Sequence, residues 1–289
     1  MSNWMRSWLV AADGLYLGQP GGSWQRLGSA DFGLSSALRE PGRLVAGACV
    51  GSGLWEWRAG GDRWVQLHDE TLTEVLALAR VPGDPGVIAG SPYGLALGRR
   101  DELGAVRWHS CSDGLRVNER FTNTVLVDPS VPGRWLVGTE AGVLLAEESG
   151  KRWTHTSLTG TPVRALLHAL GTFWAGTDER GIWRSDEGRR WNRVGRGMEE
   201  ETIFALAQSH GRILAGSRRG VMAGDGAVPW ERLGPPMLAA AVAAHPARPE
   251  CWLAGASPGG LWGTEDSGAT WRQLGTFNHV RALLAPEEI

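Results

Sequence analysis

The chain has 289 residues, 42% of them apolar, and a formal net charge of −2. That balance excludes the electrostatic footprint of a nucleic-acid or anionic-membrane binder. Three widely spaced cysteines, Cys49, Cys111 and Cys251, suit neither a disulfide framework nor a zinc site. No stretch approaches the ~20 apolar residues of a membrane span. The N-terminal MSNWMRSWLVAADG lacks an apolar segment of signal-peptide length, so the expected compartment is the cytoplasm.

The 42 glycines accompany 16 tryptophans, a pairing foreign to disordered chains. Taken in order, the chain reads as one unit repeated. The fragments are GLYLGQPGGSWQRL from 14, GLWEWRAGGDRWVQL from 53, GLALGRRDELGAVRWHS from 94 and GVLLAEESGKRWTHTS from 142. GIWRSDEGRRWNRV follows from 181, GVMAGDGAVPWERL from 220 and GLWGTEDSGATWRQL from 260. Each opens on Gly and ends at a tryptophan: Trp24, Trp64, Trp108, Trp153, Trp191, Trp230 and Trp271. Their spacings of 40, 44, 45, 38, 39 and 41 give seven units with a period of about 41.

Before most unit starts lies a run ending in small residues: LVAGA, VIAGS, WLVGT, FWAGT, ILAGS and WLAGA. Before each of those lies a third apolar segment, such as TNTVLVD, VRALLHA or IFALAQS. Runs this short, bounded by Gly and Pro, are strands. Four strands, A to D, in about 41 residues make one blade of a β-propeller. Strand A is expected innermost and strand D outermost, with its tryptophan packing between blades.

The chain begins with B-C-D material and ends on an unpaired A strand, HVRALLAP. One domain of residues 1–289 is therefore predicted: an all-β, seven-bladed propeller of four-stranded antiparallel blades. Its closing blade combines residues 1–27 with 278–289, which removes free sheet edges.

The segment Thr264-Glu265-Asp266-Ser267-Gly268-Ala269-Thr270-Trp271 resembles the Asp-box, S/T-x-D-x-G-x-T-W/F, of BNR-repeat propellers. That family includes sialidases, sortilin-type receptors, some glycoside hydrolases and photosystem II assembly factors. A weaker copy keeps Asp186, Gly188 and Trp191. Glu148-Ser149-Gly150 and Asp225 are weaker still. The resemblance implies that Asp266, Gly268, Trp271 and their blade-four counterparts build C–D turns, where an Asp accepts backbone hydrogen bonds and Gly takes positive φ.

Function is then expected on the opposite face, made by D–A and B–C loops around the funnel. The candidate binding residues there are His68, Asp69, Glu70, Glu119, Arg120, Glu140, Asp178, Arg218 and His279. Asp13, Asp31, Glu74, Tyr93, Asp113, Glu179, Arg180, Arg196, Glu199, Glu200, Glu201, Arg219 and Asn278 complete the charged and polar set. The longest loop is SCSDGLRVNER (110–120), and long loops on rigid scaffolds carry function. Sialidase chemistry is excluded: the chain has two tyrosines, Tyr16 and Tyr93, and lacks the arginine motif.

These loops differ between blades, which suits one asymmetric face rather than a lectin's repeated pockets. The expectation is a non-catalytic binding or assembly subunit that takes a protein partner at the funnel and needs no cofactor. It is closer to the assembly-factor branch of the resembled family than to the sialidases. The alternative is a glycan-active or metal-assisted enzyme. It would use funnel carboxylates and a metal held by His68, Asp69 and Glu70 with His279 or Glu119.

Overall fold

Each repeat unit folds as a four-stranded antiparallel sheet, and seven sheets form a ring. The structure, a computed structural model, describes residues 3–28 and 32–287. Blade 1 runs Leu34–Glu40, Arg43–Ala48, Leu54–Arg58 and Val65–Gln66, as strands A to D. Blade 2 runs Ala77–Arg80, Val87–Ser91, Gly94–Arg100 and Val106–Ser110. Blade 3 runs Thr122–Val127, Trp135–Thr139, Gly142–Glu147 and Arg152–Thr159. Blade 4 runs Val163–Ala169, Thr172–Thr177, Ile182–Ser185 and Asn192–Arg193.

Blade 5 runs Ile203–Ser209, Arg212–Ser217, Gly220–Gly224 and Glu231–Arg232. Blade 6 runs Ala239–Ala244, Trp252–Ala256, Gly260–Thr264 and Arg272–Gly275. The closing blade takes strand A, Ala282–Leu284, from the C-terminal end. Its other strands are Trp8–Ala11, Leu15–Gly18 and Trp24–Arg26. Strand A contacts strand A of the next blade all round the ring, so these strands line the axis. No described helix is long and apolar enough to cross a membrane.

The apolar core is divided. Seven buried clusters are present, and each joins two neighbouring blades. Strand B is the most enclosed element, buried along its whole length in blades 2, 3 and 6. The glycine before its last residue has a specific cause. A Cβ on Gly176 would sit 2.6 Å from Ile203 Cγ2, and one on Gly47 would sit 2.6 Å from Val75 Cγ1. Gly90, Gly138 and Gly255 meet the side chains of Thr122, Val163 and Val280 in the same way, and Gly216 meets the carbonyl of Ala239. Each partner is the first residue of the next blade's A segment. The glycine thus sets how closely blades approach.

The outer wall repeats a second contact. The indole Nε1 atoms of Trp64, Trp108, Trp153 and Trp271 donate to the carbonyls of Leu27, Leu67, Cys111 and Leu233. The distances are 2.9, 2.8, 2.9 and 2.5 Å, each to the end of the preceding blade. These four half-buried tryptophans thereby combine a large apolar area with one satisfied polar atom.

Ring closure has its own device. Arg39 of blade 1 is buried and donates to Ser7 O at 2.7 Å and Ala285 O at 2.6 Å. One guanidinium thus grips both ends of the chain. Burial pulls the Arg39 pKa below its ordinary value, while the Glu287 charge opposes that shift.

Gly176→Ala is expected to cost about 1–3 kcal/mol through overpacking. Gly211 has nothing within 4 Å of a built Cβ, so Gly211→Ala should stay within about 0.5 kcal/mol of the parent. Urea unfolding of the two variants checks this. Arg39→Met should cost about 2–4 kcal/mol, because two buried carbonyls lose charged donors. Limited proteolysis should then release the N-terminal segment first.

Candidate functional site

The C–D turns and the D–A and B–C loops lie at opposite ends of the strands, so the two sets of expected residues fall on opposite faces. In the blade-6 C–D turn, Thr264 Oγ1 donates to Asp266 Oδ1 at 2.7 Å and accepts the Gly268 amide at 3.0 Å. Asp266 also accepts the Thr270 amide at 2.9 Å and the Thr270 hydroxyl at 2.6 Å. Gly268 has φ +90°, and Trp271 Nε1 reaches Gly268 O at 3.1 Å as well as the neighbouring blade. Hydrogen bonds from Thr270 and then Thr264 push the Asp266 pKa down to about 2.

Blade 4 holds its turn differently. Ser185 Oγ accepts the Gly188 amide at 2.8 Å, Glu187 accepts the Arg190 amide at 3.1 Å, and Trp191 Nε1 donates to Gly188 O at 3.0 Å. Asp186, matched to Asp266 by sequence, is exposed and makes no hydrogen bond to the described residues. The turn reaches its glycine one residue sooner, so the side chains on either side of Asp186 do the holding.

The funnel residues spread over several blades. His68 is half-buried: its Nδ1 accepts the Leu54 amide at 3.0 Å, and its ring meets Trp55 edge-on at 5.6 Å. Asp69 and Glu70 are exposed. Asp69 accepts the Thr71 amide at 2.9 Å and hydroxyl at 2.6 Å. Slight burial raises its pKa, but these bonds prevail and hold it below the usual range. His279 Nδ1 lies 2.9 Å from Ser257 Oγ. Arg120 is exposed on the short helix Val117–Arg120. Asp31 lies outside the described residues.

Glu119 departs from expectation. Rather than facing the funnel, it is buried, with 4% of its surface exposed. Its carboxylate accepts the Arg116 amide at 2.8 Å and lies 2.8 Å from His155 Nε2. Burial raises its pKa, but these two partners outweigh that and keep it depressed. The short helix inside loop 110–120 turns this side chain inward. Among the described residues no three His, Cys, Asp or Glu side chains assemble as metal ligands. The combination of His68, Asp69 and Glu70 with Glu119 or His279 is therefore not formed.

Glu140 and Asp178 do come together, through a residue the repeat reading passed over. Arg164 donates to Glu140 Oε1 at 3.0 Å, to Asp178 Oδ2 at 2.5 Å and to Asn123 Oδ1 at 3.2 Å. Hydrogen bonding to Asp178 comes first among the influences that raise the Arg164 pKa. The second residue of each A segment explains the geometry. Ser35, Asn123, Arg164, Phe204 and Ala240 fall where the A–B register shifts. The bulge leaves this residue unpaired and partly exposed, while the residue before it is buried against the preceding blade. From blade to blade this position varies among Ser, Asn, Arg, Phe and Ala, while the residue before it stays buried.

Beside this network, Thr161, Pro162, Asp178, Glu179, Arg180, Phe204 and Arg218 line a cleft of about 710 Å³ between blades 4 and 5. Arg218 sits 3.8 Å from Glu179 and 3.9 Å from buried Glu201. Arg219 completes the group with an ion pair to Glu201.

No protein-family model and no curated protein matches this sequence. Solved structures share its fold. The GH74 xyloglucanase from Xanthomonas campestris superposes with a TM-score of 0.66 at 18% identity, covering 92% of this chain and 46% of that one. The GH74 enzyme of Niastella koreensis gives 0.66 at 17%, covering 86% and 46%. The extracellular domain of a B. thetaiotaomicron protein described as a hybrid two component system gives 0.66 at 16%, covering 90% and 35%. This chain therefore spans less than half of each of these neighbours, and the likeness establishes the fold.

The blade-6 turn yields a pH test. The folded Asp266 pKa of about 2 lies below its ordinary 3.8. Its stabilisation is complete above the ordinary value and is lost as the pH falls toward the folded one. Asp266→Asn should lower Tm at neutral pH and flatten the decline of Tm below about pH 4. Asp186→Asn should change neither quantity in the same thermal scans.

Proposed function

We propose that this propeller is a non-catalytic binding module that takes a protein partner on its loop face. One observation carries the reading: the polar groups expected to do chemistry there are mutually engaged, whereas large apolar side chains stand exposed. Arg164 occupies Glu140 and Asp178, Arg219 occupies Glu201, and Arg116 with His155 occupies Glu119. The face's resolved carboxylate shifts, at Asp69 and Glu199, are both downward. A glycosidase general acid needs the reverse, a pKa raised toward neutrality.

Val50 is 86% exposed, Tyr93 64% and Val117 86%. They occupy the B–C loops of blades 1 and 2 and the D–A segment before blade 3. Val50 also has φ 60°, an unfavourable conformation for a β-branched residue and a mark of a functionally constrained loop. Exposed Asp69, Glu70 and Asp113 share these loops with exposed Arg116 and Arg120, so the partner surface is apolar at its centre with both signs of charge at its rim.

The test is cross-linking mass spectrometry in cells expressing the tagged parent or a Tyr93→Ser/Val117→Asp variant. A stoichiometric partner of the parent should be lost from the variant, while circular dichroism and Tm remain those of the parent. Equal capture by the folded variant would refute the assignment to this sector.

A second reading is favoured by the GH74 neighbours and the cleft between blades 4 and 5. It makes Asp178 and Glu179 parts of a glycan site. Xyloglucan incubated with the parent would then release new reducing ends, and Asp178→Asn would abolish the release. The binding-module reading expects no release from either protein.

A further inference from the structure

On the opposite face, the cleft between blades 1 and 2 is built around a carboxylate. Glu56, on strand C of blade 1, is fully buried. Its Oε1 pairs with Arg58 Nε, and its Oε2 pairs with Arg43 Nη1 at 3.0 Å and with Arg100 Nη2. Arg100 belongs to blade 2, so one carboxylate links both blades. Burial raises the Glu56 pKa, but the hydrogen bonds from Arg58 and Arg43 outweigh it, and the group stays ionised.

The structural duty of this cluster does not account for all of its charge. Glu40 also pairs with Arg43, so three guanidinium groups face two carboxylates and one positive charge is unmatched. Arg43 is fully engaged, with its remaining nitrogen donating to Pro85 O at 3.1 Å. Arg100 Nη1 donates to Gly104 O at 2.7 Å.

Arg58 is different. Its Nε is anchored on the buried carboxylate, while Nη1 and Nη2 have no partner among the described residues. The anchor holds Nε on Glu56, while the side chain as a whole is 59% exposed. Arg43, Arg58 and Arg100 line a cleft of about 650 Å³ at this point, together with the two carboxylates they pair with, Glu40 and Glu56, and with Gly42 and Gly104. A Cβ built on Gly42 or Gly104 meets nothing within 4 Å, so the rim is open to a ligand.

We propose that this cleft binds a phosphate group, held bidentately by the outer edge of Arg58 and by the unmatched charge of the arginine cluster. A planar fork matches two oxygens of a tetrahedral oxyanion. Anchoring Arg58 in advance reduces the ordering cost of binding. Arg43 and Arg100 act through their charge and by fixing Glu56. Inorganic phosphate and a phosphorylated side chain present the same group, and the assay separates them.

The experiment is isothermal titration calorimetry at constant ionic strength, with sodium chloride balancing each addition. The probes are inorganic phosphate and N-acetyl-phosphoserine methylamide. The proteins are the parent, Arg58→Gln and Arg63→Gln, the last removing an exposed arginine of the same blade outside the cleft. The parent and Arg63→Gln should show one saturable site, weakened at least tenfold in Arg58→Gln. The Tm of Arg58→Gln in chloride should stay within about 2 °C of the parent. Tighter binding of the phosphoserine derivative assigns the site to a phosphorylated chain, and tighter binding of inorganic phosphate to the free ion. No saturable heat with the parent for either probe, or equal affinity in Arg58→Gln, would overturn the proposal.

Discussion

Everything in this ring depends on how closely one blade approaches the next. The contact is made at the end of strand B, where a glycine leaves room for the first residue of the following A segment. Val75, Thr122, Val163, Ile203, Ala239 and Val280 fill that room in turn. The closing blade has Ala11 instead, buried in the same cluster as Leu34 of blade 1. A side chain at any of the six glycines would push a wedge out of a closed circle. Because a ring cannot open at one joint without moving the others, a local clash becomes a global constraint.

The same close approach produces the features that could carry function. In blades 1, 3, 4, 5 and 6 a bulge at the second residue follows the seated first A residue. That second residue is left at the mouth of the axis. In blade 4 it is Arg164, which draws Glu140, Asp178 and Asn123 into one network. In blade 5 it is Phe204, which lines the adjoining cleft. The packing rule is common to the blades, but the bulged residue is free to vary. A repetitive scaffold thereby acquires an asymmetric surface.

The two faces differ in how their charges are arranged. On the loop face, carboxylates are held in small separate groups by arginines, by histidine or by backbone amides, and the exposed apolar residues of that face gather in blades 1 to 3. On the turn face, a buried Glu56 gathers three arginines around it, of which Arg58 is largely exposed. The Arg164 pairs with Glu140 and Asp178 are partly solvated and modest in energy. The Glu56 cluster requires several hydrogen bonds to offset desolvation, and the three donors on Glu56 supply them.

The repeat of Gly starts and Trp ends was enough to determine strand number, blade number and the completion of the closing blade by the last strand. These depend on local periodicity, with each residue's role set by neighbours within its own unit. The turn at Asp266 was legible for the same reason: Thr264, Asp266, Gly268 and Thr270 lie within seven residues and bond to one another. Asp186 shows the limit, since a turn one residue shorter transfers the work to Ser185 and Glu187.

The placement of Glu119 inside, the meeting of Glu140 with Asp178 and the arginines on Glu56 were decided only in three dimensions. Each depends on groups from different segments, and in two cases from different blades. Periodicity fixes which face of the ring a loop belongs to, but the direction of a loop side chain follows from the partners that tertiary packing brings within hydrogen-bond reach.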